Sequence, residues 1–168
     1  RLFAEIAHEA GVPRGVFNLV FGDGPTAGTR MTNHPDLHMI SFTGSTAAGR
    51  AVLRGGAETF KRVALELGGK GANLVFADAD GEAVERGVRR CFSNSGQSCN
   101  APTRMLVERS IYDETVETAR RIAETVGVGQ PEVAGPHIGP VVSGRQFDRV
   151  QTLIETGIRE GARLVIGG

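Results

Sequence analysis

Short apolar runs of strand length alternate with stretches of helical period along the chain, and Gly- and Pro-rich turns join them. Few architectures accept that grammar. Strand and helix in turn, with short connections, make an α/β fold around a mostly parallel, Rossmann-type sheet with flanking helices. The strand candidates are Val16–Phe21, Leu37–Phe42, Val63–Leu67, Leu74–Phe76, Arg104–Val107 and Leu164–Ile166. Helices are expected over 1–10, 25–33, Thr46 to about Arg54, Glu82–Phe92, Asp113–Val126, and from a Ser143 cap to Glu160, where Gly161 ends the helix. Arg1 already stands inside the helical pattern Leu2, Phe3, Ile6, Ala7, Ala10, and the last strand starts as the chain stops. The sheet is therefore expected to be incomplete at both ends, as in a piece of a longer chain.

Composition removes several classes. Lys and Arg number 19 and Asp and Glu 19, so no net charge marks a partner such as nucleic acid or an anionic membrane surface. Gly is frequent, at 24 residues, but without a G-X-Y period, and 40% of residues are hydrophobic, which fits a folded domain. The two cysteines, Cys91 and Cys99, cannot form a disulfide framework, and no leader or membrane-length apolar run is present. A reduced, cytoplasmic protein is expected. The four histidines (His8, His34, His38 and His137) lack the spacing of a metal site, so no metal is expected.

Four stretches carry possible chemistry. Gly22-Asp23-Gly24-Pro25-Thr26-Ala27-Gly28 follows a strand candidate, but its third Gly comes one residue late for a dinucleotide fingerprint and Pro25 has no N–H. It reads as a tight turn near the adenosine end of a cofactor. Phe42-Thr43-Gly44-Ser45-Thr46 lies at a strand-to-helix junction, where Ser45 is either a plain N-cap or, with the helix N-terminus, a phosphate ligand. Arg50 and Ala51 stand where a Walker loop needs Lys and Ser/Thr, which argues against a nucleotide triphosphatase. Glu66-Leu67-Gly68-Gly69-Lys70 ends an apolar strand, where burial would raise the Glu66 carboxyl toward a general base, or where Glu66 is an ordinary edge residue. Asn94-Ser95-Gly96-Gln97-Ser98-Cys99 leaves Cys99 on an accessible loop of small polar residues, whereas Cys91 beside Phe92 reads as core.

Taken together and in this order, Phe42-Thr43-Gly44-Ser45-Thr46, Glu66-Leu67-Gly68-Gly69-Lys70 and Gly96-Gln97-Ser98-Cys99 resemble the NAD(P)-dependent aldehyde dehydrogenase superfamily. Gly24-Pro25, Asp78-Ala79-Asp80 and Gly139-Pro140 extend the resemblance over nearly the whole chain. It implies a catalytic thiol at Cys99 and a general base at Glu66. It also implies a cofactor, NAD or NADP, lined by Gly24, Pro25, Thr43, Gly44, Ser45, Leu67 and Gly68, with Ser45 on the pyrophosphate. Residues 1–69 would then be the latter part of the cofactor-binding domain and residues 70–168 the first part of the catalytic domain. An aldehyde substrate and a homodimeric or homotetrameric parent follow from the same resemblance. The amide that completes the family's oxyanion site and its ribose-binding residues would lie outside this stretch, and neither Asn94 nor Asn100 replaces that amide. Retention of Glu66 favours the acid-forming branch; the alternatives are a coenzyme-A-acylating relative and a non-catalytic structural one.

Overall fold

The computed structural model describes residues 1–168, which divide into two units, Arg1–Gly68 and Gly69–Gly168. The first unit begins with α1 (Leu2–Glu9), stopped at Gly11, which takes φ +80°. A π-turn over Gly24–Gly28 then runs into α2 (Thr29–Asn33). The expected helix over 25–33 is thus two short pieces. Asp23 starts them by accepting the Thr26 N–H at 2.7 Å, and the Thr26 side-chain hydroxyl, then its N–H, hold the Asp23 carboxyl below its ordinary value.

Next come β1 (Met39–Thr43), α3 (Thr46–Ala57) and β2 (Arg62–Glu66). The strands pair in parallel, Met39 opposite Arg62 through Thr43 opposite Glu66, so α3 is the crossover of a βαβ unit. Small residues let α3 lie close on its neighbours. A Cβ on Gly56 would fall 2.8 Å from the Val63 side chain, and one on Gly49 would run into the Leu67 methyls, so both positions accept glycine alone without displacement.

The second unit repeats the arrangement with β3 (Ala72–Val75), α4 (Ala83–Phe92) and β4 (Arg104–Val107), again parallel, with Ala72 opposite Arg104 and Val75 opposite Val107. Asp80, expected near a helix start, accepts the Glu82 N–H at 3.0 Å and pairs with Arg86 at 2.6 Å. Helix α5 (Tyr112–Glu124) packs beside α4, and Val75, Gly87, Val88, Ala101 and Thr115 are the buried residues of this unit. Ser143 caps α6 (Gly144–Arg159) by accepting the Gln146 N–H at 3.3 Å, and Gly161, at φ +97°, ends it as expected.

The strands form two parallel pairs, one in each unit, in keeping with the expected α/β architecture. Two strand expectations fail. Val16–Phe21 forms no strand, and neither does Leu164–Ile166. Both runs have the right composition, but a strand exists only where a neighbour takes up its N–H and C=O groups, and neither run has a ladder partner in this chain. Their apolar side chains stay exposed, Val16 at 72% and Phe21 at 74%. No helix is long and apolar enough to cross a membrane.

Candidate active site

In the first unit the candidates from Thr43 to Ser45 and from Glu66 to Gly68 gather at the C-terminal ends of β1 and β2, the end at which parallel α/β sheets bind ligands. Thr43 stands opposite Glu66 in the ladder. One residue on, the Gly44 N–H donates to the Glu66 carbonyl at 3.1 Å, so the cofactor candidates and the proposed base share one sheet edge. A Cβ on Gly44 would fall 2.5 Å from the tip of the Phe42 ring, so glycine there leaves that ring in place. Ser45 is the N-cap of α3: its Oγ accepts the Ala48 N–H at 3.2 Å and its backbone carbonyl accepts the Gly49 N–H at 2.8 Å.

Capping does not exhaust Ser45. The hydroxyl accepts one bond and still has its own proton to donate, while the first-turn N–H groups of a helix have no partner within it. The site is exposed and carries the positive end of a 12-residue helix, a donor set that fits a pyrophosphate. Leu67 lies against Gly49, and Gly68 opens onto free space, since a Cβ there would meet nothing within 4 Å. Gly24 and Pro25 sit on a different element, the π-turn leading into α2, and α2 packs on α3.

Glu66 differs from expectation in one respect. Its side chain is exposed, so the burial expected to tune it is not supplied by the first unit. Position 66 is the outward-facing end of an alternating strand, whose burial runs exposed–intermediate–exposed along Arg62–Glu66.

In the second unit Cys99 is exposed and Cys91 half-buried, and burial pushes the Cys91 thiol above its ordinary value. Cys91 borders an apolar cavity of about 290 Å³ with Val88, Phe92, Met105, Val116 and Ile166. The loop before Cys99 has an unusual backbone: Asn94, Ser95 and Gly96 all have positive φ, at 53°, 56° and 72°. Non-glycine residues hold that conformation only where surroundings over-determine it, at a cost of about 1–3 kcal/mol each.

Two bonds from distant chain supply the constraint. Ser95 Oγ donates to the Gly139 carbonyl at 2.6 Å, and Gln97 Oε1 accepts the Val142 N–H at 2.8 Å. Asn94 Nδ2 also donates to the Gln97 carbonyl at 3.0 Å, and Gln97 Nε2 to the Asn94 carbonyl at 3.2 Å. Beyond Cys99, Ala101 is buried at 3% exposure and its N–H donates to the Ser98 carbonyl at 3.2 Å. Sequence reading passed over Ser95 and Gln97 as anchors. No local signal identifies them, because their partners lie 44 and 45 residues away. No group of three or more His, Cys, Asp or Glu side chains is arranged to hold a metal ion.

Comparison with known proteins covers the whole chain. The model of the aldehyde dehydrogenase family matches residues 1–168. A 3-succinoylsemialdehyde-pyridine dehydrogenase from a Pseudomonas species is 52% identical over 99% of this chain, which spans 35% of that relative's length. Among solved structures, an aldehyde dehydrogenase from Bartonella henselae superposes with a TM-score of 0.95 at 62% identity, covering 99% of this chain and 35% of that one. A mutant of aldehyde dehydrogenase C from Pseudomonas syringae, complexed with NAD+ and octanal, superposes with a TM-score of 0.94 at 50% identity and the same coverage. The chain thus spans about a third of the length of the relatives it matches.

Proposed function

The chain belongs to the aldehyde dehydrogenase family, and from that premise we propose that the protein containing it oxidises an aldehyde to a carboxylic acid with NAD(P)+, using Cys99 as nucleophile and Glu66 as general base. The observation that carries the reading is the Gly44 N–H bond to the Glu66 carbonyl at 3.1 Å, which fastens the anion-binding start of α3 beside the strand end bearing the carboxylate. The complex of the Pseudomonas syringae relative with NAD+ and octanal supports both ligand classes.

Each residue then has a defined task. Cys99, exposed on its loop, attacks the carbonyl carbon as a thiolate, forming a C–S bond while the carbonyl electron pair moves to oxygen. Backbone N–H groups of the Cys99 loop, with a side-chain amide from outside this chain, stabilise that oxyanion. Ser45 and the first turn of α3 hold the cofactor's pyrophosphate, with Thr43, Gly44, Leu67 and Gly68 along its length and Gly24 and Pro25 toward its adenosine. NAD(P)+, when bound, would supply the hydride acceptor: the C–H bond of the former aldehyde carbon breaks with its electron pair leaving on the hydrogen, the oxyanion pair re-forms the carbonyl, and a thioester remains on Cys99. Glu66 takes a proton from water, the hydroxide adds to the thioester carbonyl, and Cys99 departs as thiolate with release of the acid.

Cys99→Ala in the full-length protein tests this. Both aldehyde oxidation and ester hydrolysis should disappear, while Glu66→Gln should still form the thioester and stall at its hydrolysis. NAD(P)+ reduction by an aldehyde in the Cys99→Ala protein would overturn the nucleophile assignment.

A further inference from the structure

The loop that carries Cys99 is held from both sides. On the N-terminal side Gln97, two residues before the thiol, accepts the Val142 N–H through Oε1 at 2.8 Å, and Ser95 donates to the Gly139 carbonyl at 2.6 Å. On the C-terminal side Ala101, two residues after the thiol, is buried and bonds back to Ser98. Between these anchors Gln97, Ser98, Cys99 and Asn100 are all exposed, so burial does not fix the thiol. The Gly139–Val142 segment is itself attached to the long loop after α5, where the Ile138 N–H donates to the Gly127 carbonyl at 2.9 Å and the Gly129 N–H to the Ile138 carbonyl at 3.0 Å.

From this arrangement we infer that Gln97, assisted by Ser95, is a positioning residue: it sets where Cys99 stands by fastening the nucleophile loop to the Gly139–Val142 segment. Gln97 touches no reacting atom in this role. It acts through the backbone, and the specific interaction is the acceptor that its Oε1 offers to Val142. The amide also closes the turn on itself through Asn94, which keeps the left-handed backbone at Asn94 and Ser95 from relaxing. The inference rests on the assignment of Cys99 as nucleophile and adds the element that aims it.

The test compares Gln97→Met, Gln97→Glu and Ser95→Ala in the full-length protein with an aldehyde and NAD(P)+. Gln97→Met keeps length and removes the acceptor, so kcat should fall about 100-fold, the scale of a nucleophile misplaced by about 1 Å. The cofactor KM should hold within about twofold, because the defect concerns the chemical step alone. Exchange of the Val142 amide with deuterated solvent should speed up in the same variant. Gln97→Glu, which keeps an oxygen opposite the Val142 N–H, should recover at least about tenfold of the loss. If Gln97→Met does not fold, Ser95→Ala carries the test with a kcat loss of about tenfold at unchanged cofactor KM. A Gln97→Met or Ser95→Ala protein within about threefold of the parent in kcat, a Gln97→Glu protein as slow as Gln97→Met, or a cofactor KM that rises in step with the loss would each overturn the positioning role. Full activity in Gln97→Met beside an inactive Cys99→Ala defeats this inference alone. Retained oxidation in Cys99→Ala defeats the nucleophile assignment and this inference with it.

Discussion

Glu108 accepts the N–H of Ala77 through Oε2 at 2.9 Å, joining the chain just past β3 to the chain just past β4. Its own N–H donates to the Val75 carbonyl at 2.9 Å, and Ser110 donates to its other carboxylate oxygen at 2.6 Å. One residue therefore closes the C-terminal end of the parallel pair with backbone and side chain together.

The bonds from Ser110 and then Ala77 hold the Glu108 carboxyl below its ordinary value. A carboxylate lowered on folding contributes stability that is fully present above its unfolded value of about 4.3 and is lost as pH falls through the lower folded value. Glu108→Gln should therefore lower the melting temperature of the full-length protein slightly at neutral pH, and the difference from the parent should shrink as pH falls below about 4. Melting curves from pH 3 to 7 check this; a difference that grows toward acid would contradict it.

At the start of α3 capping and ligand binding are separable. Ser45→Ala removes the cap and should cost about 1 kcal/mol of stability as well as cofactor affinity. Ser45→Asp keeps a capping oxygen but sets a carboxylate against the pyrophosphate. It should leave the melting temperature within about 2 °C of the parent yet weaken NAD(P)+ more than about tenfold, as titrated by fluorescence.

The thiols should differ in reactivity. Cys99 is exposed, whereas Cys91 is half-buried with its thiol pushed up by burial, so less of it is thiolate at any pH near 8. Brief iodoacetamide treatment of the full-length protein at pH 8, read by peptide mass spectrometry, should label Cys99 at least about tenfold faster than Cys91. Bound NAD(P)+ should change the Cys99 rate and leave Cys91 alone. Equal rates would count against the difference in environment.

The 168 residues alone should behave poorly. They expose 13035 Å², against about 7,900 Å² for an ordinary folded chain of this mass and roughly 9,600 Å² for two independent units. The exposed set includes Phe60 at 96%, Val142 at 81% and Phe21 at 74%, and the buried hydrophobic core comprises Val75, Val88 and Ala101. Expressed by itself, the chain should bind a hydrophobic dye such as ANS, associate at micromolar concentration and reduce no NAD(P)+ with any aldehyde. Steady turnover by the purified chain would contradict this.

What the sequence disclosed depended on the range of the interaction. Ser45, Ser143 and Gly161 were legible because a cap and its partner lie within a few residues. The two βαβ units were legible for a similar reason, the period changing at each turn. Val16–Phe21 and Leu164–Ile166 misled because composition reports strand propensity and says nothing of whether a neighbouring strand exists to pair with. Glu66 was readable as a residue type at a strand end, yet its exposure depends on what covers the β2 edge, which no local pattern encodes. Ser95 and Gln97 were invisible as anchors, since a small hydroxyl and an amide in a polar loop look the same whether or not Gly139 and Val142 are nearby.

The most direct test of the central claim is to trap the acylated thiol. The full-length protein carrying Glu66→Gln would be mixed with an aldehyde and NAD(P)+, quenched in acid after one turnover and peptide-mapped. The expected result is the acyl mass on the peptide containing Cys99, at close to one equivalent per chain, with Cys91 unmodified. An unmodified Cys99 peptide alongside stoichiometric NAD(P)H, or acylation at Cys91, would contradict the account.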